Sequence, residues 1–362
     1  MKKTAAIFLI AVFAAACPSS AEEIFTKAPK FPRKAQWLHT KPLQKKSFKD
    51  KLTLVYFWDY TSINCIREFH FLKKWHSRYQ AYGFQEIWVH APEFDFAKKK
   101  ENVEQAAARF DIPYPVVIDN DFKLWDAYGA RSWPTKYLIN ADGRIVHTQV
   151  GQEHYLAFED KIREELKRLD PSAVLPIPVL EEEKEDFNLR QCGEMSAETY
   201  MGHKRAGWWG GEIANVKNVL PDQTLHYRDR GKRVDRGFFV EGLWTNFSDQ
   251  FEHARDTDQL TDYLGLLYLA NEVYAVMNPT DEMVRVYVTR DERPVPSAQR
   301  GKDLREDPKG ETYFLLQEPR LYYLIKDEGA EPHELKLWTQ KKGVGVHSFS
   351  FSNHCLSDFD HL

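Results

Sequence analysis

Cysteine is scarce in this chain. Four in 362 residues cannot build a disulfide framework, so an apolar core must hold the fold together. A basic excess is also missing. Lys and Arg number 50 against 54 Asp and Glu, a net charge of -4, which leaves no cationic surplus to displace counterions from phosphates. That excludes a general nucleic-acid binder. The apolar run 5–16 is too short to cross a bilayer, and a mean hydropathy of -0.57 excludes a polytopic membrane protein. Internal repeats and low-complexity stretches are absent as well. What the chain does contain is 43% hydrophobic residues, which excludes disorder, and 14% aromatics with 10 Trp. Its length exceeds one ordinary core and predicts two domains.

Residues 1–21 read as a secretory signal: Lys2 and Lys3, then the apolar run, then small residues. Two processing sites compete. Ser19-Ser20-Ala21 before Glu22 suits a soluble periplasmic product, with Pro18 breaking the helix upstream. Alternatively, Ala14-Ala15-Ala16-Cys17 resembles a lipobox, which would anchor the protein to a membrane through Cys17. Either route predicts export into a disulfide-permissive space.

Along the chain, residues 52–58 (LTLVYFW) are apolar throughout, as a buried central strand should be. A helix follows over 62–82, with Ile66, Phe69, Phe71, Leu72 and Trp75 on one face. Strand 86–90, helix 98–110, strand 115–118, a short helix around Trp125, strand 135–139, strand 144–150 and helix 154–169 complete a first unit. Residues 171–187 mix three prolines with an acidic cluster and read as a linker. Beyond it, strand-like runs alternate with turn residues, as in Val284-Arg-Val-Tyr-Val288, which predicts a β-sandwich. The expected organisation is a signal at 1–21, an α/β domain at 22–170, a linker at 171–187 and an all-β domain at 188–362.

The chemistry of such an α/β unit belongs where strand 52–58 meets the next helix. A helix N-terminus offers unpaired N–H groups and partial positive charge, which lower the pKa of a thiol placed there. The connection reads Trp58-Asp-Tyr-Thr-Ser62-Ile-Asn-Cys65. Dithiol exchange needs Cys at both ends of a C-x-x-C, and here Ser62 stands first. A hydroxyl cannot exchange with a disulfide sulfur, so ordinary dithiol turnover is not expected.

The element order is that of the thioredoxin fold, and the segment FWDYTSINCIREF resembles the active-site segment of extracytoplasmic thioredoxin-like proteins of the DipZ type, whose motif ends in C-I-N-C. WLHTKPL, VHAPEF, YPVVIDND, WDAYGARSWPTKYLINADGRI and VGQEHY resemble the same family in order and spacing. Beyond the linker, SAETYMGHKRA, VRVYVTRDERPVP, EPRLYYLI and GVGVHSFSFSN resemble its C-terminal domain, a jelly-roll sandwich similar to carbohydrate-binding modules. The resemblance implies an α/β thioredoxin-like fold followed by an all-β jelly roll, and a place in thiol-disulfide homeostasis. It also implies that Tyr56 stands where ordinary thioredoxins bury an acid.

Three uses of the degenerate motif stay open. Cys65 could act as a single peroxiredoxin-like thiol, with Ser62 bonding the thiolate and Arg131 stabilising charge. The unit could instead hold extended peptides beside a cis Trp133–Pro134 bond, with Trp58, Trp133 and Pro134 as the contact surface and no redox chemistry. Or the site has decayed. Partners implied are extracytoplasmic protein thiols or peroxide, and a glycan through the second domain. Trp208-Trp209, Trp244, Tyr322-Tyr323 and Trp338 are the platform candidates there, set against simple core packing. First and last strands of a jelly roll often adjoin, so Cys192 and Cys355 either pair in a disulfide or remain two buried thiols. No cofactor is expected. No metal is expected either, because His203, His226, His253 and His347 lack ligand-like spacing.

Overall fold

The computed structural model describes residues 26–353, apart from 33, 153, 180, 182–193, 207–211 and 217–219. The expected leader with Cys17, the Cys192/Cys355 pair and Trp208-Trp209 lie outside the described residues.

The first unit is a six-stranded sheet. Its strands are β1 (Gln36–Leu38), β2 (Leu52–Trp58), β3 (Phe84–His90), β4 (Val116–Ile118), β5 (Thr135–Ile139) and β6 (Ile145–Val150), in the spatial order β1-β4-β3-β2-β5-β6. β2, β3 and β4 run parallel, while β1, β5 and β6 pair antiparallel with their neighbours. Every residue of β2 is buried because helices cover both faces of the sheet. Alternation sends Leu54, Tyr56 and Trp58 into one apolar cluster and Val55 and Phe57 into the other. On the first face lie α1 (Ile63–Tyr79), α2 (Lys100–Arg109) and α4 (Tyr155–Leu169), contributing Phe69, Leu72, Trp75, Ala106, Phe158 and Ile162. On the second lies α3 (Lys123–Tyr128), with Leu124, Trp125 and Tyr128.

The expected elements are present with shifted ends. Helix 62–82 is α1 followed by a 3-10 turn at Gln80–Tyr82, and helix 98–110 is a 3-10 turn at Asp95–Lys98 followed by α2. Strand β1 was not expected, because Pro32 and Pro42 flank it; as an edge strand it tolerates both. The first half of the expected linker is fastened to the first unit. The Val179 N–H donates to both Glu159 oxygens at 2.9 and 3.0 Å, and Arg163 and Lys167 bond the carbonyls of Pro176 and Ala173.

The C-terminal unit is all-β. One sheet is built from Arg305–Glu306, Thr312–Leu316, Val284–Arg290, Pro332–Thr339 and Asp262–Leu269, and the other from Phe251–His253, Gly345–Ser352, Glu272–Asn278 and Arg320–Lys326. Strand Gly237–Asn246 belongs to both: Phe238–Glu241 pair with Asp262–Leu269, and Trp244–Asn246 pair with Phe251–His253. The bend falls at Gly242, where φ is 102° and a Cβ would lie 2.1 Å from the Asp262 carboxyl. Val240, Leu264, Leu337 and Val286 of the first sheet share one apolar cluster with Val273, Ala275, Leu324 and Phe349 of the second. The second sheet also meets the first unit, since Tyr274, Val276, Leu321 and Tyr323 belong to the same cluster as Tyr60, Ile63 and Phe94.

Candidate functional site

Residues 59–62 connect β2 to α1. Asp59 organises this loop. One carboxylate oxygen accepts the N–H and hydroxyl of Thr61 at 2.7 and 2.5 Å, and the other accepts the N–H of Glu93 at 2.8 Å. The loop is therefore tied to the segment after β3. His90, at the end of β3, is fully buried with its Nε2 3.5 Å from Asp59, stacked on Tyr60 and edge-on to Trp58. Burial holds the His90 pKa down, so the ring is neutral at physiological pH.

Ser62 is the N-cap of α1 and 8% exposed; its carbonyl accepts the N–H groups of Cys65 and Ile66, both at 3.1 Å. Cys65 is fully buried, one turn into the helix, and its carbonyl accepts the Tyr56 hydroxyl at 3.0 Å. The helix-terminus argument predicts a depressed thiol pKa, and the structure reverses it. Burial pushes the Cys65 thiol up, further than hydrogen bonds from the Asp59 backbone and the Ser62 hydroxyl bring it down. The charges of Glu68 and Asp59 add to the rise. A neutral, enclosed thiol is a poor nucleophile.

Near that thiol lies a pair the motif does not reveal. Glu68 of α1 and Lys136 of β5 form an ion pair with side chains 1% and 0% exposed. Burial lifts Glu68 to about 7 against the opposing pull of Lys136, and burial lowers Lys136 against the pull of Glu68. The first unit therefore does bury a carboxyl beside its cysteine, on the helix and not at Tyr56. The sequence signals were a lone acid three residues after Cys65 and a lone lysine within the apolar strand TKYLI.

The remaining predicted site residues divide. The Trp133–Pro134 bond is cis; Pro134 is buried, and the half-buried Trp133 donates its Nε1–H to the Ala91 carbonyl at 2.9 Å and packs 4.5 Å from Trp125. Trp58 is corrected: it is fully buried among Phe69, Trp88 and His90 and offers no contact surface. Arg131 is exposed, and the thiol feels the charges of Glu68, Asp59 and Lys136. In the second unit Trp244, Tyr322 and Tyr323 are buried core, whereas Trp338 is half-buried, 4.4 Å from Tyr263. Among the described residues, no group of three or more His, Cys, Asp or Glu could hold a metal ion.

The C-terminal unit brackets the loop. Arg67, two residues after Cys65, pairs with Glu272 at 3.7 Å and lies over the Tyr274 ring. Arg109 pairs with Glu318 at 2.5 Å, and the Asp95 N–H donates to Asp249 at 2.9 Å. Between these contacts Asp59, Tyr60 and Thr61 are each at most 1% exposed.

Comparison with known proteins matches the Redoxin family model over residues 7–162 and the model described as "Thioredoxin like C-terminal domain" over 196–352. Protein DipZ of Mycobacterium tuberculosis is 34% identical over 263 residues, covering 71% of this chain and 35% of that protein. The chain thus spans about a third of the length of its DipZ relatives. Thiol-disulfide oxidoreductase ResA of Bacillus cereus is 28% identical over 149 residues, 41% of this chain and 80% of that protein. A thiol-disulfide isomerase structure from Corynebacterium glutamicum aligns at 20% identity and a TM-score of 0.35, covering 38% of this chain and 96% of that one.

Proposed function

Because the chain belongs to the DipZ-type thioredoxin-like family, we propose that it is an exported protein of thiol-disulfide homeostasis whose S-I-N-C loop no longer turns over, and which works by holding extended segments of protein partners beside Trp133–Pro134. The observation that carries this reading is the state of Cys65: fully buried, with its thiol pushed up in pKa, and preceded by a serine where exchange needs a thiol. The chain divides into a leader at 1–21, a thioredoxin-like domain at 22–170, a linker at 171–187 and a jelly-roll domain at 188–362. Among the described residues, glycan binding by the second domain rests on Trp338, with Tyr263 beside it, since Trp244, Tyr322 and Tyr323 are core.

A single-thiol peroxidase is the second reading, favoured by the Ser62 hydroxyl, which draws the Cys65 thiol down in pKa against burial. It requires the loop to open before peroxide arrives. The two separate in one comparison of the mature protein with Cys65→Ser and Trp133→Ala variants. Insulin reduction and peroxide consumption should be at background in all three, while capture of unfolded, thiol-bearing polypeptide should persist in Cys65→Ser and weaken in Trp133→Ala. Peroxide consumption by the natural protein that disappears in Cys65→Ser would overturn the binding reading.

A further inference from the structure

Where the two units meet beside the loop, one hydroxyl serves two carboxyl groups. The Tyr200 Oη of the C-terminal unit lies 2.9 Å from Glu93 Oε1 and 3.0 Å from Glu198 Oε2. A phenol carries one hydrogen and can donate it once. The second short contact needs a hydrogen from elsewhere, and only a protonated carboxyl can supply it. The Glu93 side chain is 8% exposed and sits between units: its own N–H is held by Asp59, while Arg205 bonds its carbonyl and lies 3.7 Å from its carboxyl. Glu198 belongs to the C-terminal unit, where Ser350 donates to its other oxygen at 3.1 Å.

We propose that the C-terminal unit is a proton-linked cover over the Ser62–Cys65 loop: docking takes one proton from solvent onto the Glu93/Glu198 pair, and separation of the units returns it. The phenol stays protonated throughout, so each docking event binds one hydrogen ion.

The charged and titratable groups around Glu93 agree with this direction. From the first unit face Asp59, with His90 behind it; from the C-terminal unit face Arg205, Glu198 and Tyr200. Beyond Phe94 lies His347, with Asp249 and Asp95 near it. Burial raises Glu93 to about 8, opposed by Arg205 and reinforced by Glu198 and Asp59. His347 is held down at about 4 by burial and contributes no charge change in the range that matters. A carboxyl raised on docking stabilises the docked form fully below its undocked value, 4.5, and loses that contribution as pH climbs through about 8. Docking should therefore weaken between those limits, by roughly a thousandfold in its equilibrium constant. Acid closes the cover and alkali loosens it.

The test is hydrogen exchange of the Asp95 amide, which donates to Asp249 across the interface, followed in the full chain by mass spectrometry. Dividing by the rate for the same amide in the urea-unfolded chain at each pH gives an opening constant. In the natural protein that constant should rise roughly a thousandfold from pH 5 to 9. Glu93→Gln keeps an N–H in place of the carboxyl proton and should flatten the rise. Tyr200→Phe removes the shared donor, which holds Glu93 down, so it should raise opening at every pH while keeping the rise. Glu68 and Glu86 are raised by burial inside the first unit, so they influence global unfolding and not separation of the units. A flat profile in the natural protein would overturn the proposal. So would an unchanged slope in Glu93→Gln, or a urea dependence as steep as that of global unfolding.

Discussion

Replacing Lys136 with Met tests the buried pair directly. The ammonium is the opposing influence that keeps Glu68 at about 7, and both side chains are essentially inaccessible. Without Lys136 the carboxyl must either stay charged in an apolar setting or hold a proton that the unfolded chain would release. Removing one partner of a buried pair costs about 3–5 kcal/mol. The pH profile is the sharper prediction. The unfolded chain binds no proton at Glu68 above pH 7, whereas the folded variant keeps one, so the variant loses about 1.4 kcal/mol per pH unit. In the natural protein Glu68 releases its proton near 7 and that slope ends there. The penalty of Lys136→Met should thus grow by about 1 kcal/mol between pH 7 and pH 8, the natural protein losing the remainder as it releases its last half proton. Urea unfolding followed by tryptophan fluorescence, at both pH values, measures it. Combining Glu68→Gln with Lys136→Met should recover most of the loss and remove the pH term. A penalty that stays constant from pH 7 to pH 8 would refute the buried-pair argument.

Ser62→Cys rebuilds C-I-N-C at the start of α1 and should form a reversible internal disulfide with Cys65, seen by mass and by thiol titration under oxidising conditions; a new thiol that never pairs would show that the loop is not a thioredoxin-type site. Gly242→Ala should lower C-terminal stability by at least about 3 kcal/mol in thermal melts, because a positive φ and a fixed neighbour both oppose the methyl. Asp262, which that methyl would strike, is held by Arg255 at 2.6 and 2.8 Å, His253 at 2.9 Å and the Leu243 N–H at 3.1 Å, so it cannot yield.

The parts of the molecule legible in the sequence are those encoded locally. The apolar run 52–58 became β2, and the two-residue alternation in 284–288 became a strand with Val284, Val286 and Val288 inward. The positions of Ser62 and Cys65 at the head of α1 were equally plain. What stayed hidden depends on contacts between distant residues. Glu68 meets Lys136 across 68 positions, and neither looks unusual beside its own neighbours. Trp58 carries the same motif whether it faces solvent or core, and only its packing on Trp88 decides. The contacts beside the loop come from Tyr200, Glu272 and Glu318, more than a hundred residues beyond it, so no reading of the motif alone could show how the C-terminal unit meets the first.

Strand Gly237–Asn246 gives the C-terminal unit a particular mechanical character. Its first half is hydrogen-bonded into one sheet and its second half into the other, with the bend at Gly242 between them. A sandwich whose layers met only through side chains could peel open one layer at a time. Here the two layers share a backbone, so fraying one withdraws ladder bonds from the other, and they behave as one cooperative foldon. Damage at either end of that strand is felt throughout the unit, including the edge that rests on the first.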